Sequence, residues 1–375
     1  MHHVVIAGAG FAACTAVKTL RKKGFEGKIS LIAPRPELFY YPSLIWVPAG
    51  RRDYADLVVP LHGFFKRHNV EYIQSSVTGI DAEKRVLRGE NEEIDYDAVI
   101  VASGGRYIRK LPGIEHAHVA CSGWQPTKDF SDKLAAMDGG TVAFGFSGNP
   151  NEPSAMRGGP VFEFMFGVDT LLRKQARRDR FELVFFSPAP RPGQRMGDKA
   201  VDRILGEISR RNIKTYLGKK LKGFGADYVE TEDTRFKTDL ILFIPGMTGP
   251  QWAVDSGLSL SEGGFFKANA LCQVEGQTHV FVAGDAGSFP GPDWKPKQAH
   301  MADLQAAAAA ENAIAVLNHQ PPSKTFKTEL ICIVDSLDNG ALVYRGESRS
   351  MMMKMPPLHW AKLAFEKLYL RAYRD

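Results

Sequence analysis

Cysteine is scarce in this sequence, with four residues in a chain of 375. The four are Cys14, Cys121, Cys272 and Cys332. They are scattered and form no C-x-x-C pair, which excludes a disulfide framework. His116 and His118 stand close to Cys121, but on an extended segment the two histidines share one face and the cysteine takes the other. We therefore expect no metal site.

The chain also lacks long apolar runs and a strong net charge. No run approaches the length of a membrane-spanning helix, and the first strand follows Met1 almost at once, so we expect no secretory signal. The net charge of +6 favours an anionic cofactor, small anions or an anionic membrane surface, and gives no indication of nucleic-acid binding. Length and composition are those of a globular protein with two or three domains.

The first stretch of the chain carries a dinucleotide signature. Val4 to Ala7 read as a buried parallel strand, and Gly8, Gly10 and Ala13 then match the G-x-G-x-x-G/A fingerprint. The glycines permit a tight turn and a close backbone approach, and the free N–H groups of the following helix can hold a pyrophosphate. The stretch therefore predicts a dinucleotide site without saying which dinucleotide binds.

The end of the second predicted strand, Lys28 to Ala33, departs from the usual pattern. An acidic residue often closes this strand and binds the ribose hydroxyls, whereas here Arg35 follows and Glu37 comes slightly later. Next comes an aromatic segment, Phe39 to Pro48, which we interpret as a loop. It either packs under the chain or forms a wall for a flat ring system.

A second βαβ-like unit begins at Thr141 and lacks a competent glycine fingerprint. Pro150 and Pro153 stand where backbone amides would have to hold a pyrophosphate, and proline has no N–H to donate. This pattern argues against NAD(P)H binding. Further on, an apolar strand at Val280 ends in Gly284 and Asp285, and this aspartate can accept a hydrogen bond from a ribityl hydroxyl.

Several motifs together resemble the sulfide:quinone oxidoreductases, with the flavin subunit of flavocytochrome c sulfide dehydrogenase as a relative. Besides the fingerprint, they are Tyr41-Pro42-Ser43 with Trp46-Val47, Gly159 to Phe164, Ala283-Gly284-Asp285, Pro296-Lys297-Gln298, Cys332 to Asp335, and His359 to Lys367. The resemblance covers essentially the whole chain. It implies an FAD enzyme that oxidises sulfide to sulfane sulfur and passes two electrons to membrane quinone.

The resemblance also implies an α/β fold with two Rossmann-like domains. We expect an FAD-binding domain at 1–104 and 246–318, a second Rossmann-like domain at 105–245, and a C-terminal membrane- and quinone-associated region at 319–375. The expected cofactor-binding residues are Gly8, Gly10, Phe11, Ala12, Ala13, Arg35, Pro42, Val77, Ala102, Ser103, Gly104, Gly284, Asp285 and Lys297. Lys297 would lie near the flavin pyrimidine, where a cation stabilises reduced flavin; a solvated loop lysine is the alternative.

Members of the family typically hold three cysteines near the flavin. Cys121 matches the first and Cys332 the third, while the middle position falls within residues 154–157, which contain no cysteine. The same chemistry would then have to use Cys121 with Cys332, through thiolate–disulfide exchange. Glu163 matches a family carboxylate that could move protons, or it is a structural carboxylate. For Cys14 and Cys272 we expect an ordinary buried role.

The C-terminal segment predicts membrane contact. A methionine-rich loop, Met351 to Met355, precedes a helix from about Leu358 with an apolar face and basic residues elsewhere. That face comprises Leu358, Ala361, Phe365, Leu368, Tyr369 and Ala372. Such a helix suits a membrane interface or packs on the core. We expect a peripheral protein on the cytoplasmic membrane, on the periplasmic face by resemblance, with the oligomeric state open.

Four functions are consistent with these patterns. The first is sulfide:quinone oxidoreduction, with sulfide and membrane quinone as partners. The second is NADH:quinone dehydrogenation, which the two prolines disfavour. The third is a flavin subunit that delivers electrons to a cytochrome c, and the fourth is a non-enzymatic redox-sensing flavoprotein. Two cysteines in family positions favour an enzyme.

Overall fold

The computed structural model of the protein describes residues 1–374. Its helices are α1 (Phe11–Lys22), α2 (Tyr54–Leu57), α3 (His62–Arg67), α4 (Trp124–Ala136), α5 (Gly159–Lys174), α6 (Asp198–Arg210), α7 (Ala299–Leu317) and α8 (Pro357–Arg371). The first twelve strands are β1 (His3–Ala7), β2 (Lys28–Ala33), β3 (Glu37–Phe39), β4 (Val58–Pro60), β5 (Val70–Gln74), β6 (Gly79–Asp81), β7 (Val86–Arg88), β8 (Glu93–Asp95), β9 (Ala98–Val101), β10 (Arg106–Tyr107), β11 (Gly140–Phe146) and β12 (Phe181–Ser187). The others are β13 (Lys214–Leu217), β14 (Leu221–Phe224), β15 (Tyr228–Thr231), β16 (Arg235–Lys237), β17 (Leu240–Ile244), β18 (Met247–Thr248), β19 (Phe266–Lys267), β20 (Val280–Val282), β21 (Gly287–Ser288), β22 (Leu330–Asp335), β23 (Gly340–Arg345) and β24 (Ser350–Met355).

The first sheet has the order β20-β9-β1-β2-β5, and all its pairs are parallel. Strand β1 is central because Val4 to Ala7 are apolar on both faces and fully buried, as a strand covered on both sides requires. Helices α1 and α7 pack against each other on this sheet, where buried alanines of α7 allow a close approach. The sheet therefore aims the β1–α1 turn and the end of β20 at the same edge.

The second sheet has the order β13-β12-β11-β17 and is also parallel. Helices α5 and α6 bury their apolar sides in the core formed with it. The chain enters this half through β10 and leaves it through β18, and these two short strands pair with each other. Two parallel Rossmann-like units confirm the predicted fold class.

The third sheet is antiparallel, with the order β22-β23-β24. The prediction of a loop at Met351 to Met355 is wrong, because these residues belong to strand β24, which pairs along the whole of β23. One face of the sheet, with Val334 and Val343, packs against the second domain. Alternate residues of a strand point to opposite sides, and the opposite face carries the exposed side chains of Ile331, Met351 and Met353.

Two further segments connect the domains. The aromatic segment that we interpret as a loop is a 3₁₀-helix, Tyr41–Ala49, that buries Trp46 and contacts α4 and α5. At the other end of the chain, α8 leaves the third sheet and reaches the first domain, where Tyr373 is fully buried beside Phe64. Within residues 1–374, no helix combines the length and the apolar character needed to cross a membrane.

Candidate functional site

The β1–α1 turn has the geometry of a dinucleotide cradle. Gly8 has a φ of +118°, and a Cβ there would lie 2.4 Å from the carbonyl oxygen of Ala102. A Cβ on Gly10 would meet nothing within 4 Å, so the space over the start of α1 is open. The first turn of α1 carries no acidic residue and no side-chain cap, which leaves its amides for an anion.

The end of β20 closes this cradle. Gly284 has a φ of +74°, and its amide donates a 2.9 Å hydrogen bond to the side chain of Gln305 on α7. A Cβ on Gly284 would lie 3.3 Å from the Cβ atoms of both Ala12 and Ala302. The glycine therefore lets this turn pack tightly between α1 and α7, with Asp285 next to it.

Lys297 and Gln298 lie at the start of α7, beside Asp285. The Lys297 ammonium donates a 2.8 Å hydrogen bond to the carbonyl of Gly287, and burial lowers its pKa to about 8. The side-chain oxygen of Gln298 is buried and has no hydrogen-bond partner among the described residues. A cation and an unpaired acceptor at a helix N-terminus fit the polar edge of a flavin ring.

The remaining predicted cofactor residues lie at different depths. Ala102 is buried beside Gly8, whereas Ser103 and Gly104 continue from β9 as an open turn. Arg35 is exposed and forms a 3.2 Å ion pair with Glu37. Glu37 is the acidic residue that follows the second strand later than in the usual pattern. Pro42 and Val77 do not lie in strands of the first sheet. Pro42 lies in the first turn of the 3₁₀-helix, and Val77 packs at the edge of the first-domain core. Their contact with a cofactor stays a prediction.

The segment between β11 and α5 does not form a second glycine turn. It is hydrogen-bonded to residues of the first domain instead. Asn149 donates hydrogen bonds to the carbonyls of Met247 and Gly263 at 2.9 and 3.1 Å. The buried carboxylate of Glu152 accepts from the hydroxyls of Ser154 and Ser288. These contacts fix the loop that carries the two prolines across the end of β11.

Cys121 lies in a short 3₁₀-helix, Ala120–Ser122, and is 5% exposed. Burial raises the pKa of its thiol to about 12, and the carboxylate of Glu163 adds to this, while Arg157 and Tyr107 act in the opposite direction. Cys332 lies on β22 with its side chain toward the second domain. Burial also raises the pKa of the Cys332 thiol to about 12; Glu163 adds to this and Lys362 opposes it.

The two thiols therefore lie within electrostatic range of one carboxylate, Glu163 on α5. Both cysteines are free in the structure. Glu163 is buried, which raises its pKa, and it accepts hydrogen bonds from the Lys362 ammonium and from the Asp335 amide, the latter at 2.9 Å. The structure thus brings together the three predicted catalytic residues and adds Lys362 from the last helix.

A second buried group lies next to this one. His359 of α8 donates from Nδ1 to the carboxylate of Asp335 at 2.6 Å, and its Nε2 accepts from the Arg51 guanidinium at 2.7 Å. Trp46 donates to the same carboxylate at 3.2 Å. Sequence motifs pointed to the Asp335 and His359 segments, but only the structure shows that they form one network behind Cys332.

Arg157 is the residue that sequence reasoning missed. Its guanidinium forms an ion pair with Asp285 and a 3.5 Å contact to the hydroxyl of Tyr107. Burial opposes its charge, but the Asp285 carboxylate outweighs that effect, so the pKa of Arg157 is raised. In the sequence, only the cysteine-free stretch 154–157 indicates this position.

Cys14 and Cys272 lie in the core of the first domain, away from this site. Both are fully buried, and burial raises the pKa of the Cys14 thiol to about 12 and that of Cys272 still further. No group of three or more histidine, cysteine or acidic side chains suited to a metal ion occurs in the part of the chain that the structure describes.

The fold and these features define an oxidoreductase. The family described as pyridine nucleotide-disulphide oxidoreductase matches residues 2–149 and 167–306, and the chain belongs to it.

Along its whole length the chain is similar to the sulfide-quinone reductase of Aquifex aeolicus. The two are 23% identical over 397 residues, which cover 100% of this chain and 91% of that protein. The X-ray structure of the sulfide:quinone oxidoreductase from that bacterium matches with a TM-score of 0.89 at 22% identity, over 100% of this chain and 92% of the other. The resemblance indicated by the motifs is therefore confirmed, and the structural likeness establishes the fold.

A type II NADH:quinone oxidoreductase of Staphylococcus haemolyticus is also similar. It is 22% identical over 390 residues, which cover 94% of this chain and 93% of that protein. The putidaredoxin reductase–putidaredoxin complex shares the fold with a TM-score of 0.72 at 17% identity, over 96% of this chain and 92% of the other.

Proposed function

We propose that the protein is an FAD-dependent sulfide:quinone oxidoreductase. It would oxidise sulfide to sulfane sulfur or polysulfide with Cys121 and Cys332 and pass the electrons to membrane quinone. The observation that carries this proposal is that the buried Cys121 and the partly buried Cys332 both interact electrostatically with one carboxylate, Glu163. Arg157, which also interacts with Cys121, pairs with Asp285 at the end of β20. The full-length likeness to a sulfide-quinone reductase supports it.

The residues present fit FAD. The Gly8–Gly10 turn and the amides of α1 would hold the pyrophosphate, and Asp285 would accept from the ribityl chain. Lys297 and the unpaired oxygen of Gln298 would meet the pyrimidine edge. When bound, FAD would supply the acceptor for two electrons from sulfur and the donor of two electrons to quinone.

The sulfur step follows from thiol–disulfide exchange. In the oxidised enzyme Cys121 and Cys332 would form a disulfide, or a bridge with additional sulfur. Hydrosulfide attacks one of these sulfurs, so that a new S–S bond forms to the incoming sulfur and the bond to the other cysteine breaks. The products are one persulfide and one thiolate. Two-electron oxidation of this pair, for which bound FAD would supply the acceptor, would rejoin the two cysteines with the added sulfur between them and release the proton of the persulfide.

Glu163 and Lys362 would handle the protons of this step. The carboxylate is buried with its pKa raised, and its partner ammonium belongs to the helix that leads to the surface. A carboxylate in this condition can accept a proton from the incoming sulfur species and release it towards quinone reduction.

The quinone and lipid contact would lie on the outer face of the third sheet and α8. Large apolar side chains that are between 38% and 69% exposed cluster on these elements, namely Ile331, Met351, Met353, Met355, Trp360, Phe365 and Leu368. Buried charged residues of α8 face inward, and one of them, Glu366, forms an ion pair with Arg52 of the first domain. This distribution favours a helix lying in a membrane interface over one that packs on the core. It supports a peripheral location on the cytoplasmic membrane.

Anaerobic spectroscopy tests the reaction. The purified flavoprotein should lose its yellow flavin absorbance when sulfide is added and regain it with a short-chain quinone. Cys121→Ala and Cys332→Ala should each abolish the loss, whereas Cys272→Ala, which removes an equally buried thiol outside the site, should not. Bleaching by NADH and not by sulfide would overturn the proposal and favour the NADH:quinone alternative.

A further inference from the structure

Arg157 links the cradle to Cys121. It lies on the segment where the family resemblance leads one to expect a cysteine, and its guanidinium contacts Asp285 on one side and the Tyr107 hydroxyl on the other. Both Tyr107 and Arg157 interact with the Cys121 thiol in the direction that favours its anion. A cation on the segment that lacks the family cysteine is therefore linked to the Cys121 thiol through the Tyr107 hydroxyl.

The segment that carries Arg157 is held firmly. Arg195 donates to the carbonyls of Met156 and Lys295 at 2.9 and 2.8 Å, and also to that of Ser154. This partly buried arginine bonds to three carbonyls from two loops, and so fixes the backbone from which Arg157 extends. The placement of the guanidinium is thus built into the fold.

The guanidinium also retains binding capacity. An arginine offers five N–H donors in a planar fork, and the contacts to Asp285 and Tyr107 use only part of them. Although protein surrounds it, 21% of the Arg157 side chain is exposed, compared with 14% for Asp285. Part of the guanidinium therefore stays accessible for a further hydrogen bond.

We propose that Arg157 is the anion-stabilising residue of this site. It binds a small monoanionic sulfur species, hydrosulfide in the first place, next to Cys121, and it stabilises negative charge on the Cys121 sulfur. The identity of the anion rests on the proposed function, whereas the anion site itself does not.

The two thiols have separate cations. The groups that face Cys121 are Arg157, Tyr107 and Glu163, with Tyr41 from the 3₁₀-helix nearby. The groups that face Cys332 are Glu163 and Lys362. Arg157 should therefore act directly on Cys121 and Lys362 directly on Cys332, which provides an internal comparison.

Residue-resolved alkylation tests this division. In the reduced enzyme, each thiol is labelled with iodoacetamide from pH 7 to 10 and quantified by mass spectrometry of its peptide. Arg157→Gln should slow labelling of Cys121 about tenfold and leave Cys332 within about twofold, since one pKa unit changes the thiolate fraction tenfold. Lys362→Gln should slow labelling of Cys332 more than that of Cys121, which it reaches only through Glu163. Cys14 and Cys272 report any general opening of the protein.

Two further experiments separate the effect of the Arg157 charge from an effect of the substitution on folding. Arg157→Lys keeps the charge and should restore Cys121 labelling to within about threefold of the wild type. Thiocyanate, a monoanion, should protect Cys121 from labelling in the wild type and not in Arg157→Gln. In turnover, Arg157→Gln should raise the KM for sulfide about tenfold and change kcat less.

The proposal is overturned if Arg157→Gln labels Cys121 at the wild-type rate, or if thiocyanate protects both proteins equally or neither. Absence of any sulfide-dependent flavin reduction in the wild type would instead overturn the proposed function. The alkylation and thiocyanate results would still decide whether the anion site exists.

Discussion

Lys362, on the last helix, donates a hydrogen bond to the carboxylate of Glu163, 199 residues earlier in the chain. The same carboxylate accepts from the Asp335 amide at the end of β22. The C-terminal segment is therefore part of the site as well as a surface element, since it supplies the cation that compensates a buried acid beside both thiols.

Glu163→Gln should change both the rate and the pH dependence of sulfide oxidation. Glu163 raises the pKa of both thiols, so its neutralisation should lower these pKa values and move the rise of activity that accompanies thiol deprotonation to lower pH. Loss of a proton carrier should reduce the rate of flavin reduction by roughly 100-fold. Anaerobic stopped-flow measurements between pH 6 and 10 report both effects. Glu182→Gln removes an exposed carboxylate and serves as the control; a wild-type profile for Glu163→Gln would refute its role.

Gly8→Ala should weaken cofactor binding. The added Cβ would lie 2.4 Å from a backbone carbonyl oxygen, and the φ of +118° is one that L residues rarely adopt. We expect the flavin-to-protein absorbance ratio of the purified variant to fall at least about tenfold. Gly24→Ala is a matched control, because Gly24 also has positive φ but a Cβ there meets nothing within 4 Å. Equal flavin content in both variants would contradict the placement of the pyrophosphate.

Asp169→Asn should destabilise the second domain. This fully buried carboxylate accepts hydrogen bonds from Arg173, Arg178 and Arg211. Breaking a buried ion pair by removing one partner costs roughly 3–5 kcal/mol, which urea unfolding would measure. Exposed Asp179→Asn should stay within about 0.5 kcal/mol of the wild type.

The pH dependence of stability provides a second readout at Asp169. Burial acts against its ionised form, but the arginines outweigh it, so the pKa of Asp169 is lowered in the folded protein. Its contribution is therefore present above the unfolded value and is lost as the pH falls through the folded value. Unfolding curves of the wild type should show this loss at acidic pH, and those of Asp169→Asn should lack it.

Replacement of the outer apolar residues of α8 should abolish membrane binding without unfolding the protein. Trp360, Phe365 and Leu368 are 69%, 59% and 69% exposed, so their change to serine removes little core packing. We expect co-sedimentation with phosphatidylglycerol-containing vesicles to fall at least about tenfold. Val254→Ser alters an equally exposed apolar residue on the first domain and is the control. Unchanged vesicle binding by the triple variant would exclude this face as the membrane contact.

Local sequence patterns predicted much of the fold. The buried run Val4 to Ala7 with its glycine turn, and the apolar strand that leads to Asp285, were recognisable because strand and turn preferences act over a few residues. The methionine-rich stretch was predicted as a loop because it shows no alternation of apolar and polar residues, and it becomes a strand only by pairing with β23.

By itself, the sequence determined the parallel sheets, the first dinucleotide turn and the family resemblance, because each depends on residues close together in the chain. Only the tertiary structure decided what surrounds the thiols. Arg157 meets Asp285 across 128 residues, and Asp335 meets His359 where β22 and α8 come together. Such partners depend on how whole sheets and helices pack, and no local periodicity records them. The charge next to each cysteine is therefore a property of the folded protein.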